Sequence, residues 1–163
     1  MYQDYAVGEH KALKGARFLN YIIDLIFYII VYTLFITAIQ VIEELIFDDY
    51  YITDFINSMP AIFDRISPYL LYFLVNFIFE KYTNGRSIGK IITGSKVVMI
   101  DGSEPTTKDY LIRNLCRVIP FDALTFLGSN GWHDKISKTT VVNKKAFEAE
   151  QSISDSINEL GKI

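Results

Sequence analysis

The stretch FLNYIIDLIFYIIVYTLFITAIQVI, residues 18–42, holds a single charge, Asp24, in 25 residues. Beyond Asp24 it runs 18 residues without a charge. A helix rises about 1.5 Å per residue and a bilayer core is about 30 Å thick, so about 20 apolar residues cross it. A helix apolar on every side is unusual in a small soluble domain, where helices bury one stripe. The stretch therefore predicts a membrane-spanning helix over 18–42. It exceeds the roughly 7–15 apolar residues of a signal peptide, and no small-x-small site follows in AIQVIEELIF. An uncleaved span is expected.

The chain of 163 residues is half hydrophobic, yet its mean hydropathy is only +0.21, so the distribution decides the class. A single cysteine, Cys116, allows neither an internal disulfide nor a cysteine-built metal cluster. His10 and His133 are the only histidines, so no zinc site and no cofactor is expected. No grouping of Ser, His, Cys and Asp suggests nucleophilic catalysis, and an enzyme is not expected. Nor is a nucleic-acid partner, at a net charge of −3.

A second apolar stretch, ISPYLLYFLVNFIFEKY, covers residues 66–82, with 14 charge-free residues between Arg65 and Glu80. It spans if Glu80 and Lys81 snorkel to the interface. Pro68 suits the first turn of such a helix, and Tyr69, Tyr72 and Tyr82 suit interfacial anchors. Residues 1–17 carry Lys11, Lys14 and Arg17; the linker 43–65 carries six acids against Arg65; residues 81–117 hold seven bases against three acids. Positive flanks stay cytoplasmic. Both ends of an antiparallel hairpin are then expected inside and the acidic linker outside, with both termini cytoplasmic.

From Gly85 the texture changes. GRSIGKIITGSKVVMIDG, residues 85–102, predicts a strand over 96–100 ended by Asp101-Gly102, with TTVVN, 139–143, as its partner. GRSIGK is one residue short of a phosphate loop and lacks the hydroxyl after Lys90, so no nucleotide site is expected. TTKD, 106–109, has capping-box spacing and introduces a third helix over 110–127. Arg113 and Arg117 share one face of it, expected to meet anionic headgroups. Pro120 breaks it into an amphipathic or re-entrant element, or the second half of a tilted span. The fold class expected is an all-α membrane protein: an antiparallel transmembrane hairpin, an amphipathic or re-entrant third helix, and a small cytoplasmic β element. Its segments are 1–17, 18–42, 43–65, 66–82, 83–109, 110–127, 128–145 and a polar tail 146–163, a loose helix or an unstructured end.

At 100° per residue, Arg17, Asn20, Asp24 and Tyr28 fall within about 80° of arc, with Asp24 about 10 Å deeper than Arg17. Tyr72, Asn76 and Glu80 form a matching i, i+4, i+8 stripe. Both stripes occupy the inner half, so they are expected to turn toward each other or toward Arg113 and Arg117. An ionisable group in the membrane is expensive, about 2.5–3.5 kcal/mol at a helix centre by insertion scales. Asp24 is thus either half of a structural salt bridge with an arginine, an ion- or proton-binding carboxylate, or a partner contact. His133-Asp134 is a loop hydrogen bond, a helix cap or a proton relay. Asp122 is a cap after Pro120 or a second buried carboxylate.

The order of four motifs resembles the RDD family of bacterial membrane proteins: ARFLNYIIDLI, SIGKIITGSKVVMIDG, LIRNLCRVIPFDAL and GWHDKISKTTVV. The resemblance covers residues 12–143. The family is named for an arginine and two aspartates, which correspond here to Arg17, Asp24 and Asp134. Its glycine-rich segment corresponds to Gly89, Lys90, Gly94, Val97, Val98, Asp101 and Gly102. The second helix departs from the pattern by its shortness and by Glu80 near its end. The resemblance implies a multi-pass protein of the bacterial inner membrane, for which transport is suspected and cation/proton exchange has been proposed in some members. Two readings follow. One is a transport component, such as a monovalent cation/proton exchanger using a membrane carboxylate and working as a homo-oligomer. The other is a non-transporting scaffold or interaction module in which Arg17 and Asp24 are structural.

Overall fold

With no proline and, after Gly15, no glycine to interrupt it, the first apolar stretch folds as one helix, α1, Lys14–Phe47, of 34 residues. The structure is a computed structural model and describes residues 7–47, 49–119, 122–125 and 131–160. α1 outruns the expected 18–42 at both ends, because Gly15-Ala16-Arg17 and Glu43–Phe47 do nothing to stop a helix. The expected linker 43–65 is mostly helical. Glu43, fully buried, turns back and accepts from the backbone N–H of Ile52 and of Thr53 (3.0 Å) and from Thr53 Oγ1 (2.6 Å). Those donors belong to the first turn of α2, Tyr51–Ser58, which has no cap of its own. A carboxylate there satisfies orphan amides and faces the positive end of the helix.

The second long helix, α3, Ala61–Tyr82, starts five residues before the expected 66–82, and Pro60 rather than Pro68 opens it. Pro68 lies inside the helix; Tyr28 Oη of α1 donates to its carbonyl at 2.6 Å. Edge-to-face contacts between Phe27 and Phe79 (5.5 Å between centroids) and Tyr28 and Tyr72 (5.3 Å) join α1 to α3. Both helices are long and apolar enough to cross a membrane. Ile29, Ile30, Leu34 and Phe35 of α1 and Ile66 and Leu70 of α3 are about half exposed. In water each would forfeit the burial term that holds soluble folds together; among lipid tails they lose nothing.

The remaining elements gather at the end of the pair that carries Arg17 and Glu80. The glycine-rich segment is not only strand and loop. It holds α4, Ile88–Thr93, capped by Ser87 and ended by Gly94 in the left-handed conformation (φ +69°). Strand β1, Ser95–Met99, lies one residue before the expected 96–100 and pairs antiparallel with β2, Thr139–Asn143, Val97 opposite Val141. Residues 10–12 line the other edge of β2, where Ala12 N donates to Val141 O and Asn143 N to His10 O, both at 2.8 Å. Alternation then makes two small cores: Val7, Val98, Val142 and Phe147 on one face, Val97, Tyr110 and Val141 on the other, against Phe77.

Helix α5, Thr107–Arg117, opens with the capping box that TTKD predicts, Thr106 and Asp109 exchanging bonds. It is shorter than the expected 110–127. A single turn, α6, Asp122–Thr125, follows, and Pro120 and residues 126–130 lie outside the described residues. Helix α7, Trp132–Ile136, leads into β2. The polar tail is α8, Lys144–Leu160, held by Phe147 in the first core and by a contact between His10 and Glu150.

Gly89 of α4 lies against α1, where a Cβ would sit 2.3 Å from the backbone oxygen of Asn20. Gly89→Ala is therefore expected to lower stability by about 1–3 kcal/mol or more. Gly15→Ala, which meets nothing within 4 Å, should stay within about 0.5 kcal/mol. Thermal unfolding in detergent, followed by circular dichroism, compares the two.

Candidate functional site

Asp24 has no arginine on it. Its Oδ2 accepts from Ser87 Oγ at 2.6 Å and its Oδ1 from Gly89 N at 2.7 Å. Both donors belong to the N-terminal turn of α4, so a carboxylate of the first helix caps a helix some sixty residues further on. Of the alternatives for Asp24, the salt bridge with an arginine is not formed. Asn20, one turn earlier, sits beside the same helix, its amide 2.5 Å from Thr93 Oγ1.

Arg17 instead reaches Asp134, and Asp134 also holds Arg113, whose Nη1 bonds Thr139 Oγ1 at 2.7 Å. The two residues that the resemblance sets first and third, Arg17 and Asp134, thus meet directly. Arg113 and Arg117 do not turn toward headgroups as expected: Arg113 is 0% exposed, and Arg117 Nη2 lies 3.4 Å from Glu80. Their partners are inside because the acids of α3 and α7 are inside, and a buried carboxylate needs a cation more than a surface arginine needs lipid. Glu80 collects Lys90 Nζ at 2.5 Å, Asn114 Nδ2 at 2.9 Å and Arg113 Nε at 3.6 Å. Asn76, one turn below on α3, accepts weakly from Arg117 Nη1 at 3.4 Å. Asp122 is a buried carboxylate occupied by His133, through its backbone N–H (3.1 Å) and Nδ1 (2.5 Å).

All the candidate residues except Asp134, Asn76 and Glu80 line one cavity of about 50 Å³. Its wall carries the bases Arg17, Lys90, Arg113 and Arg117 and the acids Asp24 and Asp122, with Tyr21 and Tyr72 between them. Burial pushes the Lys90 ammonium down to about 7, against the pull of Glu80 and with the help of Arg117 and Arg113. Burial, followed by Arg113, pushes His133 down to about 3 although Asp122 favours its charged form, so the ring is neutral at pH 7. Among the described residues, no group of three or more His, Cys, Asp or Glu is arranged to hold a metal ion.

Lys90, Ser87, Asn114 and Thr139 belong to the site but were not among the residues the sequence singled out for it. Lys90 had a signal, a lone lysine inside IGKII. The other three are hydroxyl and amide groups whose role depends on what they fold against.

Two long apolar helices with a buried charge cluster at one end define a membrane-protein architecture with a polar interior and an apolar exterior. A family model described as the RDD family matches residues 12–142, so the chain belongs to the RDD family and is a membrane protein. No curated protein and no solved structure matches it.

Asp134→Asn leaves Arg17 and Arg113 facing a neutral amide, an expected loss of about 3–5 kcal/mol, read as a lowered unfolding midpoint in detergent. His133 makes a separate prediction. Unfolded, it takes a proton below about pH 6.5; folded, it refuses one until about pH 3. The unfolded chain then binds more protons, so stability falls as pH drops from 6.5 toward 3. Between pH 7 and 5 this contributes a loss of about 2 kcal/mol, which His133→Gln should remove from the measured pH slope.

Proposed function

We propose that the chain is a non-enzymatic binding module of the cytoplasmic membrane, anchored by α1 and α3 with both termini inside, whose charge cluster forms a chamber for a small polar solute. The observation that carries this reading is the cavity of about 50 Å³, walled by charged groups of α1, α4, α5 and α6, with Tyr72 of α3 and His133 of α7 completing it. Beyond Tyr28 the large side chains Ile29, Ile30, Leu34 and Phe35 face outward, and a separate groove lined by Thr33, Thr37, Gln40 and Thr53 shares no residue with the chamber. Lys11, Lys14, Lys81 and Arg86 flank the chamber end and the acids of 43–65 the other, which supports the orientation.

The second reading, monovalent cation/proton exchange through Asp24 in a homo-oligomer, is favoured by one observation, that Asp24 lines the cavity. Weighing against it, both Asp24 oxygens already take donors from α4, and four bases on the same wall oppose a cation. Proton exchange needs a carboxylate free to change partners.

Reconstituted liposomes separate the two. Na⁺ or K⁺ flux driven by a pH gradient is expected to equal that of protein-free vesicles. Flux above that level, lost in a normally folded Asp24→Asn, would establish the exchanger instead.

A further inference from the structure

Three of the short helices are inside-out by the standard of a soluble protein. Their ionic groups point inward: Lys90 of α4, Arg113 of α5 and Asp134 of α7 are each at most 1% exposed. Their large apolar side chains point outward: Ile91 and Ile92, Leu111 and Leu115, and Trp132 and Ile136 are 39–66% exposed. A helix in water buries its apolar stripe and shows the solvent its charges. The reverse arrangement suits hydrocarbon, where an apolar face loses nothing and a charge must be hidden.

α5 gives this arrangement a depth. Its Arg117 lies 3.4 Å from Asn76 and 3.4 Å from Glu80, which fixes its last turn against α3. Leu115, Val118 and Ile119 then form a groove of about 320 Å³ with Ile66, Leu70 and Phe73, and no charged residue lines it. Phe73 and Ile66 stand about 10 and 21 Å from Glu80 along α3, toward the middle of the span. From Thr107 to Ile119 the chain rises about 18 Å, against about 15 Å for half a bilayer core. The groove is open: Ile66, Leu70, Leu115 and Ile119 are 43–56% exposed. Its α3 wall is the face already set among lipid tails, so the groove continues that surface. At the other end of the α5 stripe stands exposed Lys108, within about 60° of Leu111 and Leu115 around the helix. A lysine above an apolar stripe lays its stem on hydrocarbon and lifts its charge to the headgroups.

We infer that α5 is a half-span set into the leaflet at the Arg17–Glu80 end, and that the groove between α3 and α5 seats an acyl chain of an anionic phospholipid whose phosphate meets Lys108. The chain covers the apolar walls and the phosphate answers the lysine, so one molecule suits both ends of the stripe. The site stands whether or not the chamber takes a solute. It also places the buried charge cluster below the membrane surface, walled from the tails by the outward faces of α4, α5 and α7.

The test uses the full chain in phospholipid vesicles, with Trp132→Phe removing the only tryptophan and Ile119→Trp supplying a reporter. Phospholipid brominated near the end of its acyl chains should quench that reporter more than phospholipid brominated close to the headgroup, and iodide in the water should not quench it. Lys108→Trp should show the opposite order. Brominated phosphatidylglycerol should quench Ile119→Trp at about a fivefold lower mole fraction than brominated phosphatidylcholine, the worth of one lysine at the surface. Adding Lys108→Gln should erase that difference. Iodide quenching of Ile119→Trp as strong as that of Lys108→Trp overturns the half-span. Quenching by neither bromine nor iodide shows protein over the groove, a second copy or another chain, and overturns the lipid. Equal quenching by the two phospholipids overturns the contact with Lys108. Should Trp132→Phe fail to fold, a nitroxide on Ile119→Cys reads the same point by its relaxation from oxygen against a water-soluble nickel chelate, with Cys116 buried; stronger relaxation by nickel overturns the half-span.

Discussion

A carboxylate withdrawn from water must find donors, and four of them withdrawn together fix where every neighbouring element goes. Asp24, Glu80, Asp122 and Asp134 are all nearly or fully buried, and the penalty per buried ion is several kcal/mol unless geometry returns it. The returns form a closed circuit. Arg17 of α1 reaches Asp134 of α7, Asp134 holds Arg113 of α5, Arg113 and Arg117 flank Glu80 of α3, Glu80 takes Lys90 of α4, and α4 closes on Asp24 of α1. Five helices are joined by this one ring. The β pair and its two small valine cores then fasten the ring from the side.

The same device appears twice on the first helix. Asp24 bonds the first turn of α4 and Glu43 that of α2, each a carboxylate of α1 supplying an acceptor to a short helix. A short helix leaves most of its amides without intrahelical partners, so an external anion stabilises it more, in proportion, than it would a long one. Acids set in or beside a hydrocarbon stretch are therefore tied to structure at both ends of α1. That similarity argues against treating Asp24 as exceptional merely because it is charged.

What could be read from the sequence were features that depend on near neighbours. The two apolar helices, the Thr106–Asp109 box and the partnership of 139–143 with a strand near 96–100 follow from local period and spacing. The errors concern choice of partner. Arg17 sits two helical turns from Asp24, yet Asp134 wins it; Arg113 and Arg117 show the amphipathic spacing of an interfacial helix, yet Glu80 and Asp134 draw them inward. Periodicity says which residues share a face, not what that face will meet. Glu43 reads in the sequence as one more acid of the linker 43–65, because its use as a cap depends on a helix that begins eight residues later.

The separation of these partners along the chain also sets an order of assembly. Arg17 and Asp134 are 117 residues apart, and Asp24 and Gly89 are 65 apart. At about 5–20 residues per second of synthesis, the first helix waits roughly 6–23 s after Arg17 is made before its last ion partner exists. Until residue 89 is made the nascent chain carries Asp24 without Gly89, and until residue 134 it carries Arg17 without Asp134, so the membrane receives α1 as an unfinished part. The ring closes only once residue 134 is made, and a chain stopped between residues 118 and 134 retains both long helices but leaves Arg17 without the carboxylate it reaches.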